Sequence, residues 1–166
     1  MYRYKESEFQ RIIKPILENS NFLDTKEITH HGITRYEHSM RVAYYSYKIT
    51  KLLGLDYKET TEAALLHDFF LDEVENKNQI AKLRQHPKYA LENAKKYFEL
   101  SEKQEDIILT HMFPVTFTPP KYLESWIVDL VDDIASIYER GITTKQQLQT
   151  ATTFLFIVFI NYIKFR

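Results

Sequence analysis

The segment Leu65-Leu66-His67-Asp68 sets an imidazole beside a carboxylate at the end of an apolar run that starts at Ala63. Neighbours on a helix point about 100° apart, so they do not share a face, yet both can converge on an ion lying over the helix end. An imidazole plus a carboxylate is a natural ligand set for Zn, Mn or Fe. The carboxylate can also bridge two ions, which one imidazole nitrogen cannot. A charged Asp68 next to so apolar a run is costly unless a metal or an arginine compensates it. One such pair is a common coincidence, and a lone histidine on an apolar face is usually a satisfied core residue. Here three more histidines, His38, His86 and His111, stand in or at the ends of helical stretches beside apolar runs. Other chemistries are excluded by residue type. With no cysteine there is no thiolate site and no disulfide. With three glycines there is no Gly-rich phosphate loop, and there is no Gly-x-Ser-x-Gly turn.

Helical signals position these residues. Phe9, Ile12, Ile13, Ile16 and Leu17 recur at helical spacing in an N-terminal helix over 5–19, with Pro15 marking a kink or a fresh start. A loop over 20–32 follows. A longer helix from Thr34 to Leu53 turns Val42, Ala43, Ile49, Leu52 and Leu53 inward, and Gly54 caps it. Asp56 with Glu59 opens the helix that carries the His-Asp pair to about Phe70. Pro87 suits the first turn of another helix, which puts His86 at its start. Ser101 with Gln104 opens a helix to about Met112, stopped by Pro114. Pro119-Pro120 introduces a helix with Leu123, Ile127, Leu130, Ile134 and Ile137 on one face and Gly141 at its end; Thr143 or Thr144 starts the last one. No convincing alternating strand exists, so the expectation is an all-α domain of seven or eight helices.

The 166 residues suffice for one domain with a single core. No linker or repeat divides them. With 22 basic and 23 acidic residues the net charge is -1, which argues against a nucleic-acid partner. The charged N-terminus has no apolar core of a secretory signal. The apolar run Phe154–Ile160 falls short of the ~20 residues of a bilayer crossing. It reads as a buried C-terminal helix over 143–163, with a homodimer surface or a membrane-surface anchor as the other readings. A cytoplasmic, membrane-free protein is expected. Tyr44, Tyr45 and Tyr47 at helical spacing read as core and rim rather than a stacking pocket.

Three stretches in order, Thr34-Arg-Tyr-Glu-His38-Ser-Met-Arg-Val-Ala43, Ala63-Ala-Leu-Leu-His67-Asp68 and Leu130-Val-Asp132, resemble the HD-domain metal-dependent phosphohydrolases. The resemblance covers about 34–138 and implies an all-helical HD fold. It implies that His38, His67, Asp68 and Asp132 ligate one divalent ion of Mn, Fe, Ni, Co or Zn. In a two-metal version Asp68 bridges, and His86 and His111 hold the second ion. The family pattern favours Asp132, which follows an apolar pair, with Asp133 as the fallback; on a helical wheel the two flank opposite edges of the apolar arc, and Asp129 points farthest from it.

The chain also departs from the family. Phe69-Phe70-Leu71 stands where Gly-Lys often follows the pair. His111-Met112 replaces the doubled histidine of the cyclic-dinucleotide branch, and Leu71-Asp72 keeps one of the two acids of the alarmone branch. The implied activity is hydrolysis of a phosphate ester or anhydride of a nucleotide or small phosphorylated metabolite. Metal-activated water would attack phosphorus, with Asp68 and His67 at the centre of the chemistry. Arg35, Arg41 and Lys88 are candidates to hold the substrate's outer oxygens; surface or salt-bridging roles are the alternative. Glu37, Asp72 and Glu73 are candidate acceptors for ligand histidines. His30-His31 lies outside the pattern and is left out of the site. A non-catalytic metal- or nucleotide-binding sensor is the rival reading.

Overall fold

A computed structural model of the chain describes residues 6–30, 33–71 and 78–164, without the side chains of residues 30, 79, 142, 143 and 146–164. Asp72 and Glu73, the aromatic run from Phe154 and the His30-His31 side chains therefore lie outside what is described. The described elements are α1 (Ser7–Leu17), α2 (Ser20–Leu23), β1 (Thr29–His30), β2 (Ile33–Thr34), α3 (Arg35–Leu52), α4 (Tyr57–Leu66), α5 (Gln79–Tyr97), α6 (Glu102–Thr110) and α7 (Leu123–Lys164). The fold is all-α, with seven α-helices among the described residues. The expected loop over 20–32 contains a short helix and a two-residue antiparallel ladder pairing Thr29 with Thr34. Among the described residues, no helix is long and apolar enough to cross a membrane.

The caps explain why the helices start where they do. Thr34 accepts from the Glu37 backbone N–H while the Glu37 carboxylate accepts from the Thr34 N–H, a closed capping box at the start of α3. Glu37 is thus an exposed cap. Ser101 and Gln104 do the same for α6, and Asp56 caps α4 through the Glu59 N–H. Gly54 ends α3 at φ 68°, a left-handed conformation that costs glycine nothing.

Four boundary expectations change. α1 runs unbroken through Pro15, whose missing N–H removes one i→i−4 hydrogen bond of the helix. α5 opens at Asn78, whose side chain accepts from the Ile80 N–H, so His86 and Pro87 lie inside the helix rather than at its start. α4 ends at Leu66, leaving the His-Asp pair just past the helix end. α7 continues through Gly141, which lacks the positive φ of a helix-ending cap. A helical glycine costs about 1 kcal/mol relative to alanine, which a helix of this length tolerates.

The core joins α1, α3, α4, α6 and α7. Phe9 and Ile13 of α1, Val42, Ala43 and Tyr47 of α3, Ala63–Leu66 of α4, Ile107 and Ile108 of α6 and Val128 of α7 are essentially fully buried. Each large apolar side chain removed from water contributes roughly 1.5–3 kcal/mol. Phe9 meets Tyr44 edge-on with ring centroids 5.2 Å apart and tilts against Tyr47 at 5.5 Å, so the tyrosines of α3 build the α1 interface. At its rim Glu8 accepts from the Tyr57 hydroxyl at 2.9 Å, the Tyr47 hydroxyl at 3.1 Å and the Lys51 ammonium. Two expected faces are corrected. Ile49, Leu52 and Leu53 are exposed at the end of α3, and Leu123, Leu130, Ile134 and Ile137 are exposed on α7. α7 buries Ile127, Val128, Val131 and Ala135 instead, the face that brings Asp129 and Asp132 inward.

Candidate metal centre

Six side chains from five segments meet at one buried point: His38 of α3, His67 and Asp68 after α4, His86 of α5, His111 after α6 and Asp132 of α7. Each is less than one-tenth exposed except Asp68, which is partly open. His38, His67 and Asp68 bring ligand atoms within 4.8 Å of one another, as do His67, His111 and Asp132, and Asp68, His86 and His111. These triplets share members, so they form one centre.

The local folding aims the rings. His67 and His111 both stand immediately past a helix C-terminus, where carbonyls lack intrahelical partners. Each donates its Nδ1–H to a carbonyl three residues back, Ala64 and Ile108 respectively, at 2.7 Å. The tautomer is thereby set, and Nε2 faces the centre with its lone pair. His38 donates Nδ1–H to Glu139 Oε2 at 2.9 Å, which again leaves Nε2 as an acceptor. The backbone of Lys82, one turn earlier on α5, hydrogen-bonds His86.

This arrangement crowds acceptors together. His38 Nε2 is 2.8 Å from Asp132 Oδ1, and His86 Nε2 is 2.8 Å from His111 Nε2. His67 Nε2 is 3.7 Å from Asp132 Oδ1 and 3.9 Å from Asp68 Oδ2. His67 Nε2, Asp68 Oδ1 and Asp132 Oδ1 are buried with no hydrogen-bond partner. An unpaired buried acceptor costs about 1–3 kcal/mol. Only a proton or a cation relieves several lone pairs converging at such distances, so the donor set fits a divalent ion.

The charges separate the ligands into two groups. Burial alone would raise both carboxyls, but Asp68 is held well below the usual carboxylate range by His67, His86 and His111, and Asp132 by His38 and His67. Burial pushes His111 down to about 3, helped by His67 and His86. Burial likewise lowers His86. Burial opposes protonation of His38 and His67, but Asp132 and Asp68 outweigh it and raise both. Near neutral pH the centre holds two ionised carboxylates, and burial keeps His86 and His111 neutral as ligation requires, whereas His38 and His67, held up by the carboxylates, would have to release a proton to a cation.

The remaining candidates sit elsewhere. Arg35 is buried, stacks its guanidinium 3.6 Å from the Phe70 ring centroid and donates to the Phe70 carbonyl. Phe70 in turn tilts against His86 at 5.6 Å, so Arg35 props one wall of the centre. Arg41 forms an ion pair with Glu139, the acceptor of His38. Lys88 is exposed two residues past His86, and Asp133 is exposed beside Asp132. Asp129, pushed up to about 7 by burial and by Asp133, accepts from the Phe113 N–H at 3.1 Å and so ties the segment after His111 to α7. The sequence reading misses Glu139. Its signal is there, since Glu139 lies seven residues after Asp132 on the same helical face, but nothing local links it to a histidine 101 residues away.

Fold and centre define an all-α domain whose buried histidines and aspartates can hold a cation. The family model of the HD domain matches residues 35–137, well over half of the chain. The chain therefore belongs to the HD-domain family, part of a superfamily of metal-dependent phosphohydrolases. Comparison with curated proteins and with solved structures returns no match.

Proposed function

We propose that this chain is an HD-type phosphohydrolase that holds two divalent ions and cleaves a phosphate ester or anhydride of a nucleotide or small phosphorylated metabolite. The observation that carries this reading is how Asp68 faces. Its Oδ1 lies 3.4 Å from His86 Nε2 and 3.8 Å from His111 Nε2, while its Oδ2 is turned to His67. One carboxylate would thus serve two ligand groups, His38, His67 and Asp132 on one side and His86 and His111 on the other, with His111 also within reach of His67 and Asp132. Divalent ions bound by these residues would supply positive charge to phosphate oxygens and would lower the pKa of a bound water.

The chain's own residues supply the rest. Asp68 and Asp132 remain ionised and fix the charge of the centre. Glu139, neutralised by Arg41, keeps the His38 Nδ1 proton in place and so keeps Nε2 free to ligate. The Ala64 and Ile108 carbonyls do the same for His67 and His111. Arg35 and Phe70 back His86 from the protein side. Lys88, on the same helix as His86, is the remaining exposed cation among the three candidates for the substrate's outer oxygens.

The test has two readouts. Metal analysis of purified protein, with thermal melts before and after adding Mn, Ni or Zn, is expected to show up to two ions per chain and a rise in melting temperature. A panel of nucleotides and phosphate esters is expected to find turnover that Asp68→Ala abolishes. No metal uptake and no melting shift would remove both the enzyme and the metal-sensor readings. Metal uptake with equal rates for wild type and Asp68→Ala would leave the sensor.

A further inference from the structure

α7 carries apolar side chains on two faces. Its inner face is buried in the domain, whereas Leu123, Trp126, Leu130, Ile134, Ile137 and Tyr138 are between 42% and 71% exposed. Their spacing of three, four, four, three and one residues lays them along one stripe about 23 Å long at 1.5 Å per residue. Exposed apolar residues are usually scattered singly, and a continuous stripe of large ones marks an interaction surface. Together they expose on the order of 700 Å², close to the ~800 Å² that each partner gives to a stable interface.

We propose that this stripe is the contact between two copies of the chain, with their α7 helices pairing antiparallel about a two-fold axis near Ala135 and Ser136. Charge selects this occupant and this direction. Asp133 and Arg140 are both exposed and stand seven residues apart along one edge of the stripe. An antiparallel pair centred there brings Asp133 within side-chain reach of the partner's Arg140, and the two-fold repeats the contact with roles exchanged. A parallel pair would instead bring Arg140 beside the partner's Lys145, a like-charge contact at the flanking positions of a coiled coil. At the centre Ile134 and Ile137 alternate with the partner's Ile134 and Ile137. Leu130 meets the partner's Gly141, where the surface is open within 4 Å of a would-be Cβ. In sequence, the same alternation of four and three residues continues beyond Gly141 through Thr144, Leu148, Ala151 and Leu155, the apolar repeat of a coiled-coil seam interrupted once by a hydroxyl. None of this depends on the metal centre.

Light scattering coupled to size exclusion on the full chain tests it. The wild type is expected to run at twice the chain mass at tens of micromolar. Asp133→Arg and Arg140→Asp each place like charges at both flanking contacts and are expected to run as monomers, with far-UV circular dichroism unchanged. Mixing these two monomeric variants, or combining both changes in one chain, restores opposite charges and is expected to restore the dimer. The double variant Ile134→Glu, Ile137→Glu is expected to be monomeric without rescue. A monomeric wild type overturns the proposal, as does a dimer that survives Ile134→Glu, Ile137→Glu. Failure of the charge-swapped mixture to pair overturns the antiparallel arrangement.

Discussion

Replacing Glu139 with glutamine tests whether the geometry around His38 matters for metal binding. The change keeps side-chain volume and removes one buried negative charge that serves two partners. His38 loses a charged acceptor at 2.9 Å, and Arg41, whose side chain is 16% exposed, loses its counter-ion. A hydrogen bond to a charged group is worth about 1.5–3 kcal/mol. Residues that orient metal ligands through a hydrogen bond typically change metal affinity by roughly 10–100-fold. At about 1.4 kcal/mol per factor of ten, the two figures agree. Glu139→Gln is therefore expected to weaken binding of Mn by one to two orders of magnitude in calorimetric titration of metal-stripped protein near neutral pH. Arg41→Met is the control. It removes the guanidinium but leaves the His38–Glu139 hydrogen bond, so metal affinity is expected to fall by a smaller factor even where thermal stability drops. If Glu139→Gln binds Mn within about twofold of wild type while His38→Ala loses binding, the idea that Glu139 acts through His38 is wrong.

Two further predictions concern the fold. The three donors around Glu8 hold its carboxyl down to about 2, the Lys51 hydrogen bond first and the Tyr57 and Tyr47 hydroxyls next. The folded state therefore binds fewer protons than the unfolded one below the ordinary glutamate range. The stabilisation from Glu8 is complete above about pH 5 and is lost as the pH falls toward about pH 2. Urea midpoints measured across that window are expected to drop more steeply for wild type than for Glu8→Gln, and parallel curves would refute the clamp on α1. Leu65 is fully buried next to the His-Asp pair, and Leu65→Ala is expected to cost about 2–5 kcal/mol through lost burial and a cavity. Denaturant unfolding checks this, and a loss below about 1 kcal/mol would mean the site collapses around the smaller side chain.

Local chemistry made much of the chain legible. The capping pairs at Asp56 and Ser101 and the cap at Gly54 follow from which side chains can satisfy orphan backbone groups, and each is found where the residue types place it. The His, His-Asp, Asp order was readable only through its resemblance to the HD-domain pattern, because one imidazole–carboxylate pair at the end of an apolar run is by itself a common coincidence. Boundaries set by Pro15, Pro87 and Gly141 were misread because those residues permit a helix end without requiring one. Whether α5 starts at His86 or seven residues earlier depends on the Asn78 cap and on packing, not on Pro87.

Choice among equivalent faces required the tertiary structure. α7 has two apolar arcs, one through Leu123, Leu130 and Ile134 and one through Val128, Val131 and Ala135, and periodicity reports both without ranking them. Packing on α3 selected the second, and with it turned Asp132 inward and left Asp133 outside. Glu139 became visible only once α3 and α7 lay side by side, because its partner is 101 residues away. Residue types thus determine which groups are able to bind a cation. Which of them converge is decided by side chains from distant segments competing for one buried volume, and that contest has no signature in any single stretch of sequence.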